Sequence, residues 1–449
     1  MVLIAEDKIG NEIQYKQIIK DEKKIISETH IVYYATEVHR DGRIFYLLYD
    51  KNMNPNEEVF DYINDFLYLQ SENSQSKALY ALKFLYCFQD IIGKELYEFS
   101  ASDIVALKSF LRGFNRKGNF LSYENLTSRS AETVNGYLSI YRGYLDFLGK
   151  QNVYLSARIE TGCSLRENFE WEIKKEKYRY NEYTKRKEEI PMYISLEEFW
   201  KIIQIVRAEY TIREECIIRL MYETGMRIGE VLGLTNEDIQ VNKIDDEYRA
   251  VVFIRNRTTD KRYQNAKTCK KVKNKKEYKT KDYQTQGYGY QFVFITEELY
   301  DLLGEYIDEE HDIQRQRHRD NYISSTLADS VENSGENFYV FINSLGRPLS
   351  DVSWGTIIRE IFIKANISLD LKIREHNVSH RFRHGFAMFQ IQYLHIKAKE
   401  LAVLMRHTSI ASVMKYYRPT VSDKVKLKTQ FADELYNMLP GLRQFREDM

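Results

Sequence analysis

The sequence predicts a mostly α-helical protein with a small antiparallel β-sheet, an N-terminal helical bundle standing ahead of an α+β second half. Three observations predict it. Four successive stretches between Asn56 and Lys150 repeat apolar residues at three- and four-residue spacing, the period of a half-buried helix. Two β-branched and aromatic runs, YRAVVFIR and YQFVFIT, interrupt an otherwise helical second half. The length of 449 residues corresponds to two or three domains at roughly 100–200 residues each.

Residues 1–56 are polar around one strand-like piece, HIVYYATEVHRDGRIFYLLYD, whose Asp41-Gly42 pair between aromatic and β-branched runs predicts a β-hairpin. Residues 57–150 then predict four helices, in VFDYINDFLYLQ, KALYALKFLYCFQDII, ASDIVALKSFLRGF and SAETVNGYLSIYRGYLDFLGK. Residues 151–190 are weakly apolar and rich in charge, and read as a linker. A second domain, 191–449, opens at Pro191. Its first helix, SLEEFWKIIQIV, carries the Ser195-x-x-Glu198 pattern of a capping box. Two further helices come next, broken at Thr224-Gly225. After them lie the two strands around a basic block, the helix EELYDLLGEYI, a strand and turn in YVFINSLGRPLS, and helices to the end.

Several classes of protein are set aside at once. No apolar run approaches the ~20 residues that span a bilayer. The opening MVLIAEDKIGNEI lacks a basic region followed by an apolar one, so no signal peptide is expected. Cys87, Cys163, Cys216 and Cys269 lie far apart with no CxxC, which fits a reducing cytoplasm better than a disulfide scaffold or a zinc module. With 43% hydrophobic and 29% charged residues, the chain can bury a core.

The net charge of zero hides a segregation. Residues 255–281 hold 12 Lys and Arg against 2 acids, residues 372–418 hold 9 against 2, and residues 301–340 hold 3 against 10. Two basic blocks on a neutral chain are the footprint of a polyanion site, since the local field matters more than the sum. The other reading of the first block is a solvated basic loop.

Three pieces carry chemistry. In SHRFRHGFAMFQIQY, at 100° per residue, Phe382, Phe386, Phe389 and Tyr393 form an apolar stripe. His380, Arg383 and His384 fall opposite, near a helix N-terminus whose free N–H groups suit an anion. A metal site on His380 and His384 is the alternative; it lacks acidic or cysteine partners, and arginines beside it would repel a cation. In MRHTSIASVMKYYRP, Ser409 caps a short helix with Ile410, Val413, Met414 and Tyr417 on its buried stripe. Tyr416 then falls about 110° away, as the freer hydroxyl. In ETGMRIGEVLGLTNED, Gly225 breaks a helix and Arg227 starts the next, with Glu230 one turn on to orient its guanidinium; Thr235-x-x-Asp238 caps the segment after that.

Together these pieces are specific. TGMRIGEVLGL, a basic hairpin, H-x-x-R-H at His380–His384, and His407 with a tyrosine nine residues later resemble the tyrosine recombinase (integrase) family. Upstream, SAETVNGYLSIYRGYLDFL looks like the last helix of that family's helical core-binding domain. RNRTTDKRYQNAKT followed by YVFINSLGRPLS is similar to the family's bacterial transposon transposases. The resemblance covers roughly residues 57–430. It implies that Arg227 and Arg383 are the two catalytic arginines, His380 the His/Lys position, His407 the His/Trp position, and Tyr416 the nucleophile. Lys267 in NAKTCKK best matches the hairpin lysine, with Lys261, Lys279 and Lys281 still open because this hairpin is longer than usual. The usual Leu-Gly-His is replaced by Met405-Arg406-His407.

The chemistry suits these residue types. Arginine forks grip the non-bridging oxygens of a phosphodiester and stabilise the charge that builds on them. A tyrosine hydroxyl with a pKa near ~10 needs positioning and a base, for which His380 is available. A lysine can protonate the leaving 5′-oxygen. A covalent 3′-phosphotyrosine stores the bond energy, and no P-loop GxxxxGK[ST] occurs. No acidic cluster for paired metals stands out, so neither metal nor cofactor is expected.

The implied architecture is a two-lobed clamp on double-stranded DNA with specific core sites, acting as a homo-tetramer at synapsis. Accessory DNA-bending or directionality proteins are possible partners, and no membrane is involved. Arg112, Arg116, Lys117, Arg129 and Arg142 in the helical lobe, with Lys270, Lys271 and Lys273 in the basic block, are the expected phosphate contacts. The amphipathic KLKTQFADELYNML is a candidate to dock on a neighbouring protomer. A type IB topoisomerase and a non-catalytic DNA-binding regulator on the same scaffold are the rival readings.

Overall fold

In the computed structural model, the described residues are 2–9, 12–21, 24–40, 43–70, 72–115, 121–165, 172–184, 190–255, 281, 285–287, 289–318, 339–369, 378–418 and 421–439. They form two compact units, Met1–Arg186 and Lys187–Met449. Among the described residues, no helix is long and apolar enough to cross a membrane.

The first unit joins strands to helices in one core. Strands Val2–Ile9, Glu12–Asp21 and Lys24–Ile31 form an antiparallel meander. Leu121–Glu124, inside the stretch expected to be purely helical, adds to the first strand in parallel, from Val2↔Leu121 to Ala5↔Glu124. The expected hairpin forms from Tyr34–Arg40 and Arg43–Tyr49, paired Tyr34↔Tyr49 to Arg40↔Arg43. Its Tyr46 is latched by Asn64, which accepts from the Tyr46 amide and donates to its carbonyl, each at 2.9 Å.

The longer helices of this unit are Glu72–Ile92, Ala101–Arg112 and Ala131–Phe147. Ser100 and Asp103 cap the second of these, and Ser130 caps the third. Strand residues Ile4, Tyr15 and Leu48 share the core with Leu79, Leu82, Phe88, Phe110 and Leu138. Residues 1–56 are thus not a segment apart, because their apolar face is covered by the helices.

The 151–190 stretch is also more than a linker. Asn152 caps the short helix Val153–Ser156, and Arg158–Leu165 pairs with Glu172–Tyr178. Its charges are used on the first unit: Glu182 pairs with Lys108 at 2.8 Å, both nearly buried. Composition alone reads such charges as solvated.

The second unit is helical around a three-stranded antiparallel sheet. Ser195 and Glu198 close the capping box of Leu196–Glu209, with Ser195 N to Glu198 Oε2 at 2.9 Å. Ile212–Thr224 and Ile228–Leu232 are the next two helices. Thr235 and Asp238 cap only a 3₁₀ turn, Asn236–Asp238, which leads directly into the strand Ile239–Ile244. That edge strand, which the sequence does not predict, pairs with Glu247–Arg255, which pairs in turn with Tyr290–Phe294. None of its side chains is buried, and its apolar alternation runs only from Ile239 to Val241, too short to announce it.

Glu297–Tyr306, Asp312–Arg317, Asp351–Lys364, His380–Gln392, Ala398–Leu404 and Val421–Met438 are the further α-helices among the described residues of this unit. At 339–350 the strand and turn reduce to single bridges, Thr235↔Tyr339 and Ile342↔Pro348. Trp354, Phe362 and Phe382 join Ile217, Ile218 and Met221 in the core. The helix His380–Gln392 packs directly on Ile212–Thr224, which brings two of the candidate segments together.

Candidate active site

The first component is the turn after Thr224. Gly225 ends the helix in the left-handed region, φ +64°, and a Cβ there would lie 2.6 Å from Phe386 Cδ1. Only glycine takes that backbone conformation and that close approach together. Arg227 then sits at the N-cap of Ile228–Leu232. Glu230 holds it twice: Oε2 accepts from the Arg227 amide at 2.9 Å and Oε1 from Arg227 Nη1 at 2.6 Å. Burial would push the Glu230 carboxyl up, but Arg406, Arg227 and Arg383 outweigh it and hold the group at about 2, fully ionised.

The second component is the helix His380–Gln392. Its Arg383 was expected opposite the apolar stripe; it is instead 2% exposed. The helix is enclosed nearly all round, with Tyr393, not Arg383, reaching solvent at 51%. Arg383 is tolerated there because its fork is filled. It donates through Nη1 to the Gly225 carbonyl and through Nη2 to the Met405 carbonyl, and Nη2 lies 3.0 Å from His407 Nε2. Burial first, and Arg227 next, bring the guanidinium down to about 9, still charged at neutral pH.

Since arginine only donates, His407 Nε2 accepts and the ring proton sits on Nδ1. Burial, then Arg383, hold His407 at about 4 and therefore neutral.

The third component is the tyrosine segment, where the expectation from helical periodicity fails. Ile410–Ser412 and Met414–Tyr417 are 3₁₀ turns, not α-helix. At three residues per turn, i and i+3 eclipse, so Val413 and Tyr416 share the buried face. Ile410 and Met414 are exposed. Tyr416, expected to be the freer hydroxyl, is 2% exposed. Tyr417 is half-buried and donates to the Ile396 carbonyl at 2.8 Å.

The Tyr416 hydroxyl lies 2.7 Å from His384 Nδ1. Burial raises the hydroxyl to about 12, against the pull of Arg383 and Arg227. Burial, then Lys415 and His380, hold His384 at about 3. The imidazole is neutral, and in the tautomer with its proton on Nε2 its Nδ1 accepts from the tyrosine hydroxyl. His380 stands at the exposed start of the helix, its ring 5.6 Å from that of His384.

Arg227, Arg383 and His407 therefore stand together, with the hydrogen-bonded pair His384 and Tyr416 within their field. Arg406 joins them, with Nη2 2.7 Å from Glu230 Oε2. Periodicity gave no sign of Arg406; the one signal was its place where the resembling family has glycine. Lys267, Lys270, Lys271, Lys273, Arg116 and Lys117 lie outside the described residues, as do Lys261 and Lys279. Lys281 is exposed, and its carbonyl accepts from Thr285 Oγ1 at 3.0 Å.

Of the helical-unit arginines, Arg142 is a correction. It is 8% exposed, its Nε donates to Leu155 O at 2.8 Å and its Nη2 to Asn181 Oδ1 at 2.7 Å, under the Tyr178 ring. A guanidinium so occupied braces the 151–190 stretch and does not reach a phosphate. Arg112 donates to the Arg129 carbonyl at 2.9 Å, and Arg129 lies 3.9 Å over the Phe84 ring, so both are partly committed within their unit.

The two low histidines carry a pH prediction. In the unfolded chain both titrate near ~6.5, against about 3 for His384 and about 4 for His407 when folded. Between those values the unfolded chain binds more protons, so stability must fall as pH drops through that window. Thermal melting followed by circular dichroism should show a transition temperature decreasing from about pH 6.5 to 4. His384→Gln with His407→Gln should shrink the decrease, and an equal decrease in that double variant would refute the assignment.

The chain is similar to known proteins. Residues 193–422, just over half of the chain, match the model of the phage integrase family. Transposase A from transposon Tn554 of Staphylococcus aureus is 31% identical over 212 residues, covering 45% of this chain and 56% of that protein. Tyrosine recombinase XerH of Campylobacter jejuni is 25% identical over 253 residues, 55% of this chain and 53% of that protein. Among solved structures, the Tn1549 transposon integrase in complex with a circular intermediate DNA aligns over 83% of this chain and 98% of that one, at 15% identity and a TM-score of 0.49. The chain belongs to the phage integrase family, that of the tyrosine recombinases. It spans about half the length of the curated relatives it matches.

Proposed function

We propose that this protein is a site-specific DNA recombinase of a mobile element, which cuts and rejoins strands through a 3′-phosphotyrosine. The observation that carries the reading is the convergence of Arg227, Arg383, His407 and Tyr416, from separate segments, on one site. The relatives described as a transposase and a tyrosine recombinase support it.

In this reading the Tyr416 oxygen attacks the phosphorus, its proton passes to a base, and the 5′-oxygen leaves with a proton from another donor. The reverse attack by a 5′-hydroxyl rejoins the strand and frees the tyrosine. Arg227 grips the non-bridging oxygens, while Arg383, whose two terminal nitrogens are taken by carbonyls and His407, adds positive charge behind them. His384, 2.7 Å from the hydroxyl, is a better placed proton acceptor than His380, the base expected from sequence. The negative phosphodiester raises the basicity of His384 as it binds. Lys267 is the proposed acid for the leaving oxygen. Lys270, Lys271 and Lys273, with Arg112, Arg116, Lys117 and Arg129, are proposed phosphate contacts, so that both units grip the duplex as a clamp.

Pairing of two core sites calls for a tetramer at synapsis. The helix Val421–Met438, which exposes Val425, Phe431 and Tyr436, is its proposed docking element. Such an enzyme works where the DNA is, in the cytoplasm of a bacterial cell.

The test uses a nicked duplex built from the sequences that flank the protein's own gene, so that cleavage releases a short strand and traps the intermediate. A protein–DNA adduct that survives denaturant, forms without ATP and is unaffected by EDTA is expected. Cleavage with no adduct and a strict need for a divalent ion would refute the proposal.

A further inference from the structure

Arg406 combines two features that a bystander would not have. Its backbone lies in the left-handed region, φ +54°, where an L side chain is strained and glycine is favoured. Its side chain is nevertheless buried, 7% exposed, and turned back onto Glu230 across 176 residues of sequence. Strain kept at such a position points to a role for the side chain that forces it.

Glu230 is the centre of that role. Oε1 takes Arg227 Nη1; Oε2 takes both the Arg227 amide and Arg406 Nη2. Arg406 also reaches toward the carbonyls of Thr224 and Gly225, at 3.4 and 3.5 Å, and the Gly225 carbonyl is the one that accepts from Arg383. With Oε2 occupied, the carboxylate cannot swing round to grip the Arg227 fork with both oxygens. Arg227 Nε and Nη2 have no hydrogen-bond partner among the described residues, and the side chain is 19% exposed. The charge balance changes as well. Arg227 and Glu230 alone would cancel; Arg406 returns the trio to a net positive charge beside Arg383, where a phosphodiester gains negative charge as it reacts.

We propose that Arg406 is a positioning residue for Arg227. By sharing Glu230, it leaves the Arg227 guanidinium oriented, only singly bound, and in a positive field. The proposal rests on the reading of Arg227 as a phosphate-gripping residue.

The experiment is single-turnover cleavage of the nicked duplex at saturating protein, with DNA affinity and melting temperature measured alongside. Arg406→Gly relieves the backbone strain and deletes the guanidinium. It should cut the rate by about 10- to 100-fold, the size that accompanies loss of one charge-assisted hydrogen bond, with affinity little changed. Arg406→Lys should recover part of the loss, since it returns the charge without the fork. In an Arg227→Ala background, Arg406→Gly should slow cleavage less than about 3-fold, because residues acting through one group are not additive. A wild-type rate in Arg406→Gly, or the same fold loss with and without Arg227, overturns the proposal. If Arg406→Gly fails to fold, Arg406→Lys carries the test, and a wild-type rate with Lys in place overturns the claim that the fork orients Glu230. Absence of any adduct with the wild-type protein would instead overturn the recombinase reading itself, and this proposal with it.

Discussion

Tyr416→Phe should abolish covalent adduct formation while leaving the fold and DNA affinity close to wild type. The ring is the buried part, sharing its face with Val413, and phenylalanine preserves it. What disappears is the oxygen, and with it the 2.7 Å contact to His384 Nδ1. Loss of one such hydrogen bond costs about 1 kcal/mol, a drop of about 2–4 °C in melting temperature for a unit of this size. No other group replaces a nucleophile, so the loss of cleavage should reach the detection limit. Tyr417→Phe is the control. It removes a bond to the Ile396 carbonyl and nothing from the arginine network, so it should retain cleavage. Peptide mapping of the wild-type adduct should place the DNA on Tyr416; an adduct on Tyr417 would mean that the buried hydroxyl is only structural.

Arg383→Ala and Arg227→Ala should each slow cleavage by at least ~10²-fold, Arg227 through loss of a donor to the developing oxyanion and Arg383 through loss of the buried positive charge beside it. Their effects on stability should differ. Arg383 fills the carbonyls of Gly225 and Met405 and faces His407 Nε2. Its removal takes the side-chain donor from the Met405 carbonyl and leaves the Gly225 carbonyl only the 3.5 Å approach of Arg406, at about 1–3 kcal/mol for each buried acceptor left unpaired. Arg227→Ala leaves Glu230 still paired with Arg406, so a smaller loss is expected. A rate defect shared by both variants, with a melting-temperature defect concentrated in Arg383→Ala, is the expected pattern. Equal stability losses would show that the second arginine is not the keystone of the network. A wild-type cleavage rate in either variant would remove that arginine from the chemistry.

Features that depend on neighbours within a turn or two are legible in the sequence. The capping pairs Ser195/Glu198 and Thr235/Asp238 formed where the spacing put them. The helix break at Gly225, the Arg227–Glu230 contact and the hairpin around Asp41-Gly42 are equally local. The candidate set Arg227, His380, Arg383, His407 and Tyr416 could be named for the same reason: it falls in three short motifs.

Features that depend on segments far apart emerge only from tertiary packing. Leu121–Glu124 is too short and weakly patterned to be read as a strand, and it exists because Val2–Ala5 lies alongside it. Arg383 and Arg142 looked like surface cations; distant carbonyls satisfy their donors and allow their burial. Arg406 carries no periodic signal, and only the fold brings it to Glu230. The two tyrosines show the limit most sharply. At 100° per residue Tyr417 belongs inside, but the segment folds as 3₁₀ turns, so three-residue spacing selects Tyr416. Periodicity could name the adjacent tyrosines, but which one is buried against His384 depends on the helix that packs over them.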